Sequence, residues 1–226
     1  MKLSVAIPCW SMNGVGKDVL KISLDILSKQ TLKDFEVVVT DHSENNDIEI
    51  LSKNYHFVKY IRNEKDRGNP ASNTNLGLQN CAGEYIKLLC QDDFLIDKNS
   101  LETCVNDLEN SGKVWGFNSY WHSIDRRNLE RLYVPSFNNN IELTNTLGTP
   151  SALIIKNGLG VLFDENLKYM YDCEFYKRMF LKYSFPNVSK NDTMVNYIHK
   201  NQTTNTIANN ELRSNEELYI RRKYFC

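Results

Sequence analysis

Hydrophobic and polar positions alternate along the first sixty residues with a regular rhythm. Leu3-Ser4-Val5-Ala6-Ile7 is apolar and stops at Pro8, which reads as a first strand. From Lys17 to Gln30, the residues Val19, Leu20, Ile22, Leu24, Ile26 and Leu27 fall on one broad face at helical spacing. Phe35 to Thr40 is a second strand, β-branched at its centre and ended by Asp41. A short helix around Asp47 to Lys53 and a third strand, Phe57 to Ile61, come next. Strands and helices in alternation, with short connectors, predict an α/β fold built on a parallel sheet covered on both faces. Such sheets bind their ligands beyond the carboxyl ends of the strands.

The pattern then becomes more polar. Asn69-Pro70 reads as an N-cap followed by proline in the first helical turn. The helix it opens, Pro70 to Cys81, carries Ser72, Asn73, Thr74 and Asn75, and is expected to face a site more than to fill a core. Gly83 stops it, and the apolar strand after Glu84 runs out into Cys90-Gln91-Asp92-Asp93. The spacing next predicts an amphipathic helix over Asp97 to Asn110 and an aromatic-rich strand over Val114 to Trp121. A polar, irregular loop over Asp125 to Asn140 and a strand over Thr149 to Ile155 follow. A helix over Asp172 to Tyr183, a strand over Thr193 to His199, a polar loop over Lys200 to Asn210 and a charged terminal helix complete the chain. With no internal repeat or low-complexity linker, one continuous domain is expected, with residues 1–94 and 95–226 as its two halves.

Composition narrows the classes of function. The 226 residues are 41% hydrophobic and 24% charged, which is a globular composition. Twenty-seven basic residues against 28 acidic ones give a net charge of −1, which offers no footprint for nucleic acid. No run of about 18 apolar residues predicts a membrane span, and the N-terminus is interrupted too soon for a signal peptide. The six cysteines form no C-x-x-C pair and no zinc spacing, which fits reduced thiols in a cytoplasmic protein. Arg221-Arg222-Lys223 would support at most a peripheral contact with the inner face of a membrane. Gly14-Val15-Gly16-Lys17 lacks the full P-loop spacing, and no G-x-G-x-x-G follows a strand.

The candidate chemistry lies at the predicted strand ends. Pro8-Cys9-Trp10, Asp41 and Asp92-Asp93 all fall just past a strand and converge on one rim. A rigid carboxylate pair is a site for a hard divalent cation, and through it for phosphate. The plainer alternative for Asp92-Asp93 is a solvated turn capping the next helix, and for Asp41 an Asx turn.

Leu3 to Pro8, Phe35 to Asp41 and Gly83 to Asp93 resemble, in order, the two opening strands and the metal-motif strand of an inverting family 2 glycosyltransferase. Phe163-Asp164-Glu165-Asn166-Leu167 and Tyr171-Asp172-Cys173-Glu174-Phe175 resemble its acceptor-side segment, so the likeness runs from Leu3 to about Thr204. It implies a GT-A fold, a mixed and mostly parallel sheet sandwiched by helices. The implied reaction moves a hexose from a UDP- or dTDP-linked sugar onto a glycan or lipid-linked saccharide, with Mn²⁺ or Mg²⁺ as cofactor. By the same resemblance Pro8 and Trp10 lie near the base, and Asp41 accepts its imide N–H. Asn75 belongs to the nucleotide-side helix, although Thr74 stands where an arginine is common. Asp92 holds metal and diphosphate with Asp93 as its neighbour, and His199, followed by a Thr-rich loop, completes the metal site. Asp172 is the general base. Two positions depart from the pattern: Cys90 replaces the first motif aspartate, and Tyr171 replaces a frequent glutamate. Asp172 could instead cap its helix, with Glu174 in reserve, and His199 could be an ordinary strand-end histidine. A nucleotidyltransferase would need a glycine-rich basic loop after the first strand, which Cys9-Trp10-Ser11-Met12-Asn13 is not. A degenerate transferase that binds glycan or a partner without turnover is the remaining alternative, kept open by Cys90.

Overall fold

β1 (Leu3–Cys9) pairs in parallel with β2 (Phe35–Asp41) along its whole length, from Leu3↔Phe35 to Cys9↔Asp41. Its pairing with β4 (Tyr85–Leu88) is shorter, from Leu3↔Tyr85 to Ala6↔Leu88. The geometry is that of a computed structural model describing residues 1–202, 205 and 209–225. Thr203, Thr204 and Thr206, from the Thr-rich loop expected after His199, lie outside the described residues. Successive residues of a strand point to opposite faces, yet Leu3, Ser4, Val5, Ala6 and Ile7 are all buried, so the sheet is covered on both sides.

The first strand does not stop at Pro8 but continues to Cys9. The backbone of Ala6 faces β4, accepting from Leu89 N at 3.0 Å, and Pro8 faces the same way two residues later. Pairing with β4 has ended by then, so the missing N–H of proline leaves no ladder bond unmade. β3 (Val58–Arg62) extends the parallel set beyond β2. Helices α1 (Gly16–Leu27), α2 (Asp47–Ser52) and α3 (Pro70–Gln79) connect these strands.

The second half adds antiparallel and mixed pairings to the same sheet. β8 (Leu153–Lys156) runs antiparallel to β4, and β6 (Trp115–Ser123) antiparallel to β8. β9 (Asn187–Tyr197) runs parallel to β6, and the two-residue β5 (Phe94–Leu95) closes the far edge. Among the described residues the order is β3-β2-β1-β4-β8-β6-β9-β5, with β7 (Arg131–Tyr133) joining β6 where β8 ends. Helices α4 (Ser100–Ser111), α5 (Tyr171–Tyr183) and α6 (Asn210–Phe225) flank this half. Trp115, Phe117, Phe175 and Tyr176 fill its core, with Phe163 stacked on Phe175 at 4.2 Å.

Four features differ from the expected elements. Residues 149–152 form a 3₁₀ turn, because Thr149 caps it through Ser151 N and Pro150 occupies its first position, so the strand starts only at Leu153. The irregular stretch contains β7, and Phe94–Leu95 is a strand too short to show periodicity. β9 starts six residues early and ends before His199. Its first part was hidden because it is polar: Ser189 and Asn191, with Asn118 of β6, donate to the carboxylate of Asp107 on α4. β9 also bulges against β6, where Asn118↔Ser189 is followed by Ser119↔Asp192 and Tyr120↔Met194.

Candidate active site

At the carboxyl ends of the parallel strands lies a cleft of about 900 Å³, walled by both halves of the chain. Pro8, Trp10, Asn73, Thr74 and Asp92 line it from the first half, and Asn145, Tyr169, Tyr171, Asp172 and Asn196 from the second.

The first-half wall is held by amide side chains. Asn73 donates to the carbonyls of Cys9 and Thr40, both at 3.1 Å, lacing β1 to β2 at their ends. Gln91 accepts from Trp10 N at 2.9 Å and donates to Gly16 O at 2.7 Å, fixing the loop that displays the partly exposed Trp10 ring. Only glycine fits at position 16, since a Cβ there would stand 2.2 Å from the Trp10 carbonyl.

Two residues expected on this wall are turned into the protein. Asp41 is fully buried; it accepts from Ser43 N at 2.8 Å and Tyr60 OH at 2.9 Å, with Arg62 at 3.4 Å. That is the Asx turn, and its neighbour His42 lines the cleft in its place. Asn75 donates to Phe163 O and Glu165 Oε1 and accepts from Phe163 N at 2.8 Å, so both ends of its amide clasp the second half. The polar helix thus faces the cleft through Pro70, Asn73 and Thr74, and Asn75 lies off the wall.

The two adjacent aspartates have different surroundings. Asp92 Oδ2 lies 2.7 Å from His199 Nε2, and His199 stacks on Tyr197 at 4.8 Å. Asp93 is 1% exposed and accepts from Ser151 Oγ at 2.5 Å, Asn196 Nδ2 at 2.9 Å and Tyr197 N at 3.0 Å. Burial and the charge of Asp92 push its carboxyl up to about 7. Asp93 is therefore a strut between β4, the 149–152 turn and β9, with no oxygen to spare for an ion. Cys90, where a first carboxylate was expected, donates its N–H to Ser151 Oγ at 2.8 Å, and burial raises its thiol pKa. Among the described residues no cluster of three or more His, Cys, Asp or Glu could hold a metal by itself. The Asp92–His199 pair nevertheless fits one: Asp92 lines the cleft and its carboxylate meets the His199 imidazole, an oxygen and a nitrogen donor, and a diphosphate would supply the remaining oxygens.

Asp172, which lines the same cleft, sits in the first turn of α5. Its carboxylate accepts from Asn145 Nδ2 at 2.9 Å and Cys173 N at 2.8 Å, and burial pushes it up to about 6. Asn145 is itself fixed, accepting from Leu147 N and Gly148 N in a turn that closes against Tyr120. Asp172 does not cap the helix; Met170 holds the N-cap position. Glu174, the reserve candidate, is fully buried and committed to Arg178 at 2.7 Å, Lys223 at 2.8 Å and Tyr224 OH at 2.8 Å. Despite burial, these partners hold its carboxyl below the ordinary range. Asn145, Ser151 and Gln91 were not foreseen at the site, whereas Asn73 belongs to the polar helix expected to face it. Asn145-Thr146-Leu147-Gly148 and Thr149-Pro150-Ser151 carry turn signatures that could have shown the first two; a lone buried amide shows no such signal.

Mixed sheet, flanking helices and a cleft at the strand ends place the chain among proteins of the GT-A fold. Staphylococcus aureus TarS 1–349 in complex with UDP-GlcNAc superposes with a TM-score of 0.78 at 19% identity, over 99% of this chain and 66% of that one. The mannosyltransferase PcManGT of Pyrobaculum calidifontis, in complex with GDP-Man and Mn²⁺, gives 0.62 at 15% identity, over 88% and 57%. Residues 4–183 match the family described as glycosyl transferase family 2, and the chain belongs to that family. An uncharacterized glycosyltransferase of Rickettsia typhi is 29% identical over 96% of this chain and 70% of its own length. One of Rickettsia conorii is 30% identical over 74% of this chain, which spans only 27% of that protein. The GalNAc(5)-diNAcBac-PP-undecaprenol beta-1,3-glucosyltransferase of Campylobacter jejuni is 29% identical over 42% of this chain and 31% of its own length. No helix among the described residues is long and apolar enough to cross a membrane.

Proposed function

We propose that the protein transfers a hexose from a UDP- or dTDP-linked sugar to a saccharide or lipid-linked glycan, in one displacement that inverts the anomeric carbon. The observation that carries this reading is that Asp172 and Asp92, the latter bonded to His199, line one and the same cleft. In it, residues 1–94 hold the donor, with Pro8 and Trp10 against the base, and residues 95–226 hold the acceptor. TarS, with its bound UDP-GlcNAc, supports a UDP-linked donor, and the name of the Campylobacter protein supports a lipid-linked acceptor.

In this mechanism Asp172 takes the proton of the acceptor hydroxyl. A carboxyl near 6 is ionised at neutral pH yet more basic than a solvated one, as a general base requires. Asn145 orients it through the 2.9 Å hydrogen bond to its carboxylate. Asp92 and His199 would hold the divalent ion, which when bound neutralises charge on the departing diphosphate. Asp93 fixes the direction of Asp92 from behind. We place the reaction in the cytoplasm with any membrane contact peripheral. Arg221 and Lys223 are ion-paired to Glu217 and to Asp164 and Glu174, so two of the three charges of this run are already engaged within the chain.

Melting with UDP or dTDP and Mn²⁺, followed by a screen of donors for nucleotide release, tests the reading. A raised melting temperature and release from at least one donor are expected; no shift with any nucleotide overturns it. Cys90 favours one second reading, a module that binds without turnover. Nucleotide binding with no release from any donor, with or without acceptor, would be its result.

A further inference from the structure

α6 lies beyond the 4–183 family match, yet its side chains grip the backbone that leads into Asp172. Glu216 is 5% exposed in an otherwise strongly polar helix. Its Oε1 accepts from Lys168 N at 2.7 Å and Tyr169 N at 3.3 Å, and its Oε2 from Tyr169 N at 3.0 Å and Met170 N at 2.7 Å. Three consecutive backbone N–H groups thus converge on one carboxylate. One turn on, Ile220 is fully buried against Leu167 and Met170, and Lys223 reaches Asp164 and Glu174. The segment from Asp164 to Glu174 is held along successive turns of α6.

These N–H groups directly precede α5, whose N-cap, Met170, has a side chain that makes no cap hydrogen bond. Glu216 does not take the place of a cap side chain, which would accept from first-turn amides; it holds from another helix the three N–H groups just ahead of that turn, where the helix dipole also favours negative charge. Tyr169, Met170 and Tyr171 line the cleft together with Asp172. A carboxylate that fixes this turn therefore fixes the direction from which α5 presents its first-turn aspartate.

We propose that Glu216 is a positioning residue for transfer, holding the Tyr169–Tyr171 turn so that Asp172 meets the acceptor hydroxyl. The inference rests on the reading of Asp172 as the base. Its test uses the full chain and UDP-GlcNAc or UDP-glucose, whichever the wild-type enzyme consumes, with UDP release as readout. In Glu216→Ala the kcat is expected to fall about a hundredfold, the scale of a misplaced reacting group. The donor KM and the UDP-induced melting shift stay within about twofold, since the donor wall is untouched.

A merely destabilised protein would not move the pH profile, whereas a displaced turn does. The groups facing the Asp172 carboxylate are Asn145 from its own loop and Tyr171, Cys173 and Tyr176 from α5. Opening that enclosure hydrates the carboxylate, so the acidic limb of kcat/KM is expected to move to lower pH than in the wild-type enzyme measured alongside. If Glu216→Ala does not fold, Glu216→Gln is read in the same way. Its amide keeps one acceptor oxygen but sets an NH2 against a backbone donor, so a smaller loss of kcat and a smaller shift of the limb in the same direction are expected. A variant with wild-type kcat and limb overturns the role of Glu216 alone; a wild-type enzyme that releases neither UDP nor dTDP from any donor overturns the functional reading itself.

Discussion

The two walls of the cleft are built on different principles. On the first-half wall, Pro8, Trp10 and Asp92 stand at or just beyond the ends of parallel strands, so the sheet itself delivers them. On the second-half wall, Asp172 depends on a turn at Asn145, a helix start at Met170 and a clamp from α6 more than forty residues later. A wall delivered by strands inherits the rigidity of a sheet buried on both faces, whereas a wall assembled from turns needs long-range braces. The comparison teaches that loss of a brace should harm the acceptor step and spare donor binding.

The sharpest way to break that contrast is Asp172→Asn. Transfer is expected to fall about 10²–10⁴-fold, the range of a lost general base, with UDP binding intact. The same variant should be more stable at neutral pH. Folded Asp172 binds its proton more tightly than the unfolded chain does, so between about pH 4 and 6 native stability falls as pH rises. The advantage of asparagine should then approach roughly 3 kcal/mol above pH 6 and vanish below pH 4, as melting curves across pH would show.

Asp92→Asn probes the other wall. The increment that Mn²⁺ adds to UDP affinity should disappear, with metal-free binding retained, by calorimetry with and without the ion. An equal loss in both titrations would remove Asp92 from the metal site. Next in size is the pH profile of the wild-type enzyme, where kcat/KM should drop about tenfold per unit below pH 6 if Asp172 must be ionised. The smallest effect separates clasp from ligand. Asn75→Ala should cost about 1–3 kcal/mol of stability through its lost buried hydrogen bonds and leave UDP affinity nearly unchanged. A large loss of affinity would return Asn75 to the donor site.

The same contrast explains what the sequence could and could not reveal. Strand–helix alternation, the Asn69-Pro70 cap and the apolar run into Asp92 are local signals, and each produced its element. Pro8 looked like a stop because a strand's tolerance for proline depends on where its neighbour ends. Asp41 and Asn75 carry the residue types of a ligand, but which way a polar side chain turns is decided by partners such as Tyr60 and Phe163. Glu216 was the least legible of all. In a helix of Glu, Arg, Asn and Lys nothing marks one carboxylate as buried until its distant donors are in place.

The bulge in β9 has a consequence of its own. Downstream of it, Asn196 and the Tyr197 N–H support Asp93, and His199 reaches Asp92. A strand alternates faces at every residue, so the irregular count between Ser189 and Met194 sets the parity of everything after it. Excising one surface residue such as Lys190 would invert that parity, turning both supports away from the cleft while every functional side chain remained in the chain. Length in this stretch is thus as much a part of the site as any carboxylate, and drift within the family should exchange residues here far more readily than it adds or removes them.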